Sequence, residues 1–193
     1  SETVALAEVQ GRVLAAPQTS SITVPRLDNS AMDGYAVRVA DVSAGIRLPV
    51  SQRIAAGQVG APLQPGTAAR IFTGAPIPQG ADAVLMQEDC VADEAAVTIN
   101  ALPHPGENIR RAGEDIVAGA EILPAGTRIG PAEMGLAASV GLAELPVLRR
   151  LKVACFFTGD ELVTPGNRLA PGQIYNSNRY TLTGLVNGLG CEL

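Results

Sequence analysis

Residues 62–89 read PLQPGTAARIFTGAPIPQGADAVLMQED. Two short apolar runs stand between clusters of glycine and proline, which is how strands separated by tight turns are written in sequence. Thr73 follows the apolar pair Ile71-Phe72, where the first strand ends and a hydroxyl can point outward. Pro76 and Pro78 then stiffen a loop ahead of the second strand, "DAVLM". The same punctuation extends both ways, from about Ile22 to Ile116, through "SQRIAAGQVG" and "AAVTINALPHPGENIRR". Strands this short, with turn signals this frequent, predict a β-rich, barrel-like or sandwich domain over 22–118.

Outside that stretch the pattern changes. Leu6, Val9 and Val13 fall at helical spacing, predicting a short amphipathic helix over 3–14 with Gly11 near its end. Gly130-Pro131 places proline at a favourable first helical position, and Met134, Ala137, Ala138 and Val140 follow before Gly141. "ELPVLRR" reads as an extended link. From Leu151, "LKVACFF" is a near-continuous apolar run, predicting a strand buried on both faces. Pro-Gly turns follow at 165–166 and 171–172. Asn176 or Ser177 then caps a helix carrying Leu182, Leu185, Val186 and Leu189 on one face, with Gly188 and Gly190 closing it. Strand, loop, helix and a further element beginning at Cys191 predict the opening of a parallel α/β sheet whose remaining strands follow Leu193.

Composition narrows the function. The chain has 193 residues, 47% of them apolar and 17% charged, with a net charge of −5. Such an acidic balance argues against a nucleic-acid binder. No apolar stretch approaches the roughly 20 residues of a membrane span, and no basic leader precedes an apolar one. Cys90, Cys155 and Cys191 have no metal-like spacing and predict reduced thiols in a cytoplasmic protein. His104 is the only histidine, which disfavours a serine–histidine–aspartate triad or a histidine-rich metal site.

Four segments could carry chemistry. In "SAMDGYAV" (30–37), Asp33-Gly34 between extended arms is a tight-turn signal, and it is either a structural hairpin or a placed carboxylate. "IFTGAPIP" offers the Thr73 hydroxyl. "NIRRAGEDI" sets Arg110 and Arg111 close to Glu114 and Asp115, as in a salt-bridged surface or an anion site, and the spacing does not choose. "FFTGDEL" puts Thr158, Asp160 and Glu161 at the carboxyl end of the expected strand, where ligands of open α/β sheets bind. "GLVNGLG" follows a helix, so it is not a dinucleotide fingerprint.

Taken together, "VPRLDNSAMDGYAV", "IFTGAPIPQGADAVLMQED", "NIRRAGEDI", "AGTRIGPAEMGLAASVG" and "TGDELVTPGNRLAPGQIYNSNR" resemble one family along the whole chain. It is that of the molybdopterin molybdenumtransferases, known as MoeA in bacteria and as the gephyrin E domain in animals. The resemblance implies molybdenum cofactor synthesis, in which adenylylated molybdopterin and molybdate react with a divalent cation, Mg²⁺, and AMP is released. It implies an α+β multidomain fold: a linker and dimerisation region (1–21 with 119–149), the β-rich domain (22–118), and the truncated first strand–helix unit of an α/β molybdopterin-binding domain (150–193). It also implies a homodimer with its active cleft between subunits, and a molybdopterin adenylyltransferase as upstream partner. Asp33, Thr73, Asp115 and Glu161 match catalytic positions. Ser30, Arg110, Arg111, Thr158 and Asp160 match substrate-binding ones, and Asp33 and Glu161 are the expected metal carboxylates. Phe157 stands where the family has a small polar residue, and Asn176 where it has aspartate. The chain reads as an N-terminal fragment that does not insert molybdenum by itself. The rival reading is a non-catalytic scaffold of the same architecture.

Overall fold

The computed structural model describes residues 1–193. In chain order its elements are β1 (Glu2–Ala5), β2 (Gln18–Thr19), β3 (Asn29–Ser30), β4 (Gly34–Val37), β5 (Arg47–Ile54), β6 (Ala68–Ile71), β7 (Ala83–Met86), β8 (Cys90–Ala92), β9 (Ala96–Ile99), β10 (Ile109–Arg110), β11 (Glu121–Leu123), α1 (Pro131–Ser139), β12 (Glu144–Val147), β13 (Leu162–Val163), β14 (Ile174–Tyr175) and α2 (Ser177–Gly188). Two compact units result, one of Thr19–Ala120 and one of Ser1–Gln18 with Glu121–Leu193.

The first unit is a mixed-sheet half-barrel, ordered β7-β4-β6-β5-β9-β8. Its pairs are antiparallel except β5 with β6, which run parallel. Side chains alternate across the sheet, and both faces are packed. Tyr35, Val37, Leu48, Leu85, Val97 and Ile99 fill one core; Ala36, Ile54, Ala69, Ile71 and Val84 fill the other. Burial on both faces explains why β4 and β7 read as continuous apolar runs, whereas β5, exposed at every second position along much of its length, alternates.

The Asp33-Gly34 step is not a hairpin turn. Strand β3 pairs with β10, whereas β4 pairs with β6 and β7, so the step is a bend between two different ladders. Gly34 is needed there because β7 passes very close. A Cβ at residue 34 would lie 1.8 Å from the Leu85 carbonyl oxygen. The Asp-Gly pair thus owes its glycine to a close approach of backbones.

In the second unit, Val9, Leu14, Leu123, Ile129, Leu145 and Val147 form the core. The expected helix over 3–14 is replaced by strand β1, antiparallel to β12, and one 3-10 turn at Leu6–Glu8. Thr3 and Val4 are β-branched and suit the strand; Leu6 N–H donates to Ala143 O at 2.8 Å. Gly11, at φ +76°, then turns the chain. Tertiary pairing therefore overrides the helical spacing of Leu6, Val9 and Val13. Helix α1 starts where Gly130-Pro131 predicts, with proline in its first turn and the Gly130 N–H donating to Glu133 Oε2 at 2.9 Å.

The run "LKVACFF" forms no buried strand. Its one bridge joins Lys152 to Glu192, and Leu151 and Phe156 are 69% and 86% exposed. A strand of a parallel sheet is buried only when neighbours flank it, and here a single bridge stands in for a ladder. Beyond it, β13 and β14 pair in parallel, Leu162 opposite Ile174. Helix α2 follows, capped by Asn176, whose Oδ1 accepts from the Arg179 N–H at 3.1 Å. Leu182, Leu185 and Leu189 lie exposed along it.

Candidate active site

Three of the four singled-out segments interlock in the Thr19–Ala120 unit, around residues 28–31. On one side, Ser30 N–H donates to Ala75 O at 2.9 Å, Gly74 N–H to Ser30 O at 2.8 Å and Ile77 N–H to Asp28 O at 2.9 Å. On the other side, β3 pairs with β10, Ser30 opposite Ile109 and Asn29 opposite Arg110. Ala31 N–H donates to Asn108 O at 2.9 Å. Asn108 sits at φ +52°, a left-handed conformation that asparagine tolerates better than most residues. Its side-chain amide donates to Val84 O at 2.9 Å, which anchors the loop to β7.

This weave aims Asp33 at Thr73. Asp33 Oδ1 accepts the Thr73 backbone N–H at 2.8 Å and the Thr73 hydroxyl at 2.9 Å. The backbone donor first, then the hydroxyl, hold the Asp33 carboxyl below its ordinary value, with the Arg70 charge adding to them. Asp33 is therefore an ionised, oriented and solvent-facing carboxylate. Its second oxygen, Oδ2, has no protein partner. The Thr73 hydroxyl proton is committed to Asp33, so Thr73 orients the carboxylate and is not a free donor to an oxyanion.

The remaining predicted residues are placed differently. Arg110 is ion-paired with Asp115, its Nη2 at 2.6 and 2.7 Å from the two carboxylate oxygens. That hydrogen bond, with Asp115's charge, raises the Arg110 pKa. Arg111 is paired with Asp28 at 2.6 Å, and Asp28 also accepts the Ala112 N–H at 2.8 Å. Both arginines expected as anion contacts are thus neutralised from within and act as braces of the loop. Ser30 is buried, and its hydroxyl donates to Met32 O at 2.5 Å, so it shapes the turn instead of facing a ligand. Asp28, Arg70 and Gln87 were missed. For Arg70 the available signal is "RIF", in which an arginine and the aromatic Phe72 stand two apart at the end of β6.

Glu161 belongs to the other unit. Its carbonyl accepts the Ile174 N–H at 2.8 Å, which pins the main chain to β14. Its carboxylate makes no hydrogen bond and lies over Gly159, at φ +147°. Phe157, Thr158, Glu161, Tyr175, Asn176 and Asn178 line an open cleft of about 390 Å³. Asp160 is exposed on the same loop. No three histidine, cysteine, aspartate or glutamate side chains are grouped closely enough to hold a metal ion by themselves. No helix is long and apolar enough to cross a membrane.

Comparison with known proteins adds the following. The family model of the MoeA N-terminal region (domain I and II) matches residues 1–141. The chain is similar to molybdopterin molybdenumtransferase 2 of Mycobacterium tuberculosis, at 46% identity over 99% of this chain and 49% of the relative. It is 45% identical to the molybdopterin molybdenumtransferase of Haemophilus influenzae, over 97% of this chain and 47% of that one. The crystal structure of the molybdopterin biosynthesis MoeA protein from Pyrococcus horikoshii OT3 superposes with a TM-score of 0.89 at 34% identity, over 99% of this chain and 52% of the other. The chain spans about half the length of the curated relatives it matches.

Proposed function

The chain belongs to the MoeA N-terminal region family, and on that premise we propose that it serves molybdenum insertion, in which adenylylated molybdopterin and molybdate are the substrates and AMP is released. The observation that carries this reading is Asp33: a carboxylate ionised, oriented by two donors from Thr73 and open at Oδ2. A group fixed in this way needs no reorganisation when it meets a substrate.

The residues present suit Mg²⁺. That ion is held by one or two carboxylates together with substrate phosphates, and not by an all-protein cage. Asp33 Oδ2 and the unpaired Glu161 carboxylate are donors of the right kind. When bound, the ion would supply neutralisation of phosphate charge. Thr73 keeps Asp33 ionised and aimed, while the Arg110–Asp115 and Arg111–Asp28 pairs hold the loop that carries it.

The finer organisation belongs to the same proposal. Residues 1–21 with 119–149 act as linker and dimerisation region, 22–118 as the β-rich domain, and 150–193 as the start of an α/β molybdopterin-binding domain. The protein acts in the cytoplasm as a homodimer, Asp33 of one subunit serving a cleft with Glu161 of the other, supplied by a molybdopterin adenylyltransferase. The deciding experiment is Asp33→Ala in the catalytically competent protein. Loss of AMP release from adenylylated molybdopterin plus molybdate, with unchanged melting, supports the enzyme; unchanged release supports a scaffold.

A further inference from the structure

Arg53 and Arg70 are direct partners in the parallel β5–β6 ladder, so both project from the same face of the sheet. Tyr35 is Arg70's partner on β4, and Leu85 is Tyr35's on β7. One row therefore passes from two core side chains to two guanidinium groups. Phe72 receives both. The Arg53 Cζ lies 4.4 Å from its ring centroid and the Arg70 Cζ 4.6 Å, with Arg70 also 5.2 Å from the Tyr35 centroid.

Like charges directly opposite in a sheet destabilise it, and neither guanidinium is closed off by an ion pair, although the Arg70 charge is felt at Asp33. None of the chain's seven ion pairs includes Arg53 or Arg70, although the chain carries 19 acidic residues. Arg70 donates to Gly34 O at 3.0 Å and to Gln87 Oε1 at 2.6 Å. The Arg53 guanidinium makes no hydrogen bond, and the residue is exposed. Stacking fixes the planes of both groups without using up their charge. The stack also adjoins the candidate site in sequence and space: Phe72 precedes Thr73, and Arg70 grips the carbonyl of Gly34, next to Asp33.

We propose that the Arg53–Phe72–Arg70 stack is an oxyanion subsite that takes a tetrahedral oxyanion, the phosphate of an adenylylated substrate or molybdate itself, beside Asp33 and Thr73. This rests on reading Asp33 as an active-site residue. Arginine presents a rigid fork of donors that matches such oxygens. Arg53 makes the free contact, while Arg70 shares its donors between the anion and the Gly34 loop.

The test is calorimetric titration of this chain at low salt with AMP, adenosine, inorganic phosphate and molybdate. Arg53→Gln is the variant of choice, because Arg70 also braces Gly34. The expected result is binding of AMP or molybdate that weakens about tenfold or more in R53Q and less in Arg53→Lys, with an unchanged circular dichroism spectrum. Tighter AMP than molybdate assigns the nucleotide phosphate as the natural occupant; the reverse assigns molybdate. Adenosine binding as well as AMP, no binding by any anion, or R53Q within about twofold of the parent would each overturn the subsite. The two readings fail separately: lost AMP release in Asp33→Ala together with no anion binding by the parent chain sinks the subsite alone, whereas anion binding that R53Q weakens together with unchanged AMP release in Asp33→Ala sinks the functional reading alone.

Discussion

Asp33 and Glu161 are both exposed carboxylates on loops at strand ends, yet the chain treats them in opposite ways. Asp33 is reached through a weave of backbone hydrogen bonds from residues 73–77 and 108–112, and its own oxygen takes two donors from Thr73. Glu161 has one main-chain tie, to Ile174, and a side chain with none. The comparison teaches that a single acidic residue becomes a defined chemical group through the ladders around it. Its residue type alone does not do this. The first loop is preorganised by unit-wide pairing; the second depends on what binds beside it.

The comparison breaks most visibly at the two glycines. Gly34→Ala forces a Cβ against the Leu85 carbonyl and is expected to destabilise the chain by about 4 kcal/mol, through separation of β4 from β7. Gly159→Ala meets only the movable Glu161 side chain, though at a strained φ, and should cost about 1 kcal/mol. Urea unfolding of both variants checks the ordering, and equal losses would refute it. Packing gives the next contrast. Ile71→Ala removes a fully buried side chain and is expected to cost about 3 kcal/mol. Leu185→Ala on the exposed face of α2 should stay within about 0.5 kcal/mol.

Smaller effects sharpen the site itself. Thr73→Val deletes one of the two donors to Asp33 while keeping the backbone one, and should lower the urea midpoint only slightly. It should also raise the Asp33 pKa, read by carbon-detected NMR titration; an unmoved pKa would remove Thr73 from its orienting role. The Asp33 contribution to stability is fully present above 3.8 and lost as pH falls through its lowered native value. Cys90 acts at the other end. Desolvation by burial first, then the nearby Asp89 charge, push its thiol from 9.0 up to about 11. The unfolded thiol ionises earlier, so folding stability falls across that interval as pH rises. Cys90→Ala should flatten the decline in urea midpoint, and an unchanged slope would exclude the thiol as its source.

Much of the β-rich unit was legible, because glycine and proline mark its turns whatever the sheet does. Helix α1 was legible for the same reason, from Gly130-Pro131 and Gly141. The failures share a cause. Leu6, Val9 and Val13 satisfy a helical period, but pairing with distant chain decides their conformation: Leu6 N–H is taken by Ala143 O, and Val13 bridges Arg128. "LKVACFF" has the composition of a buried strand, yet burial is conferred by neighbours and not by the run itself. In the site, residue types were readable while pairings were not. Arg110 with Asp115 and Arg111 with Asp28 could be told from free anion contacts only once β3 was laid against β10.

That last pairing also sets an order of events. The hydrogen bond from Arg111 to Asp28 spans 83 positions of chain and that from Thr73 to Asp33 spans 40. Contacts so remote are made late, after the loops between them have closed. Asp33 is an ordinary aspartate in any chain in which Thr73, 40 positions on, has not been brought beside it. The orientation of the carboxylate is therefore a property of the paired sheet and not of the Asp-Gly dipeptide.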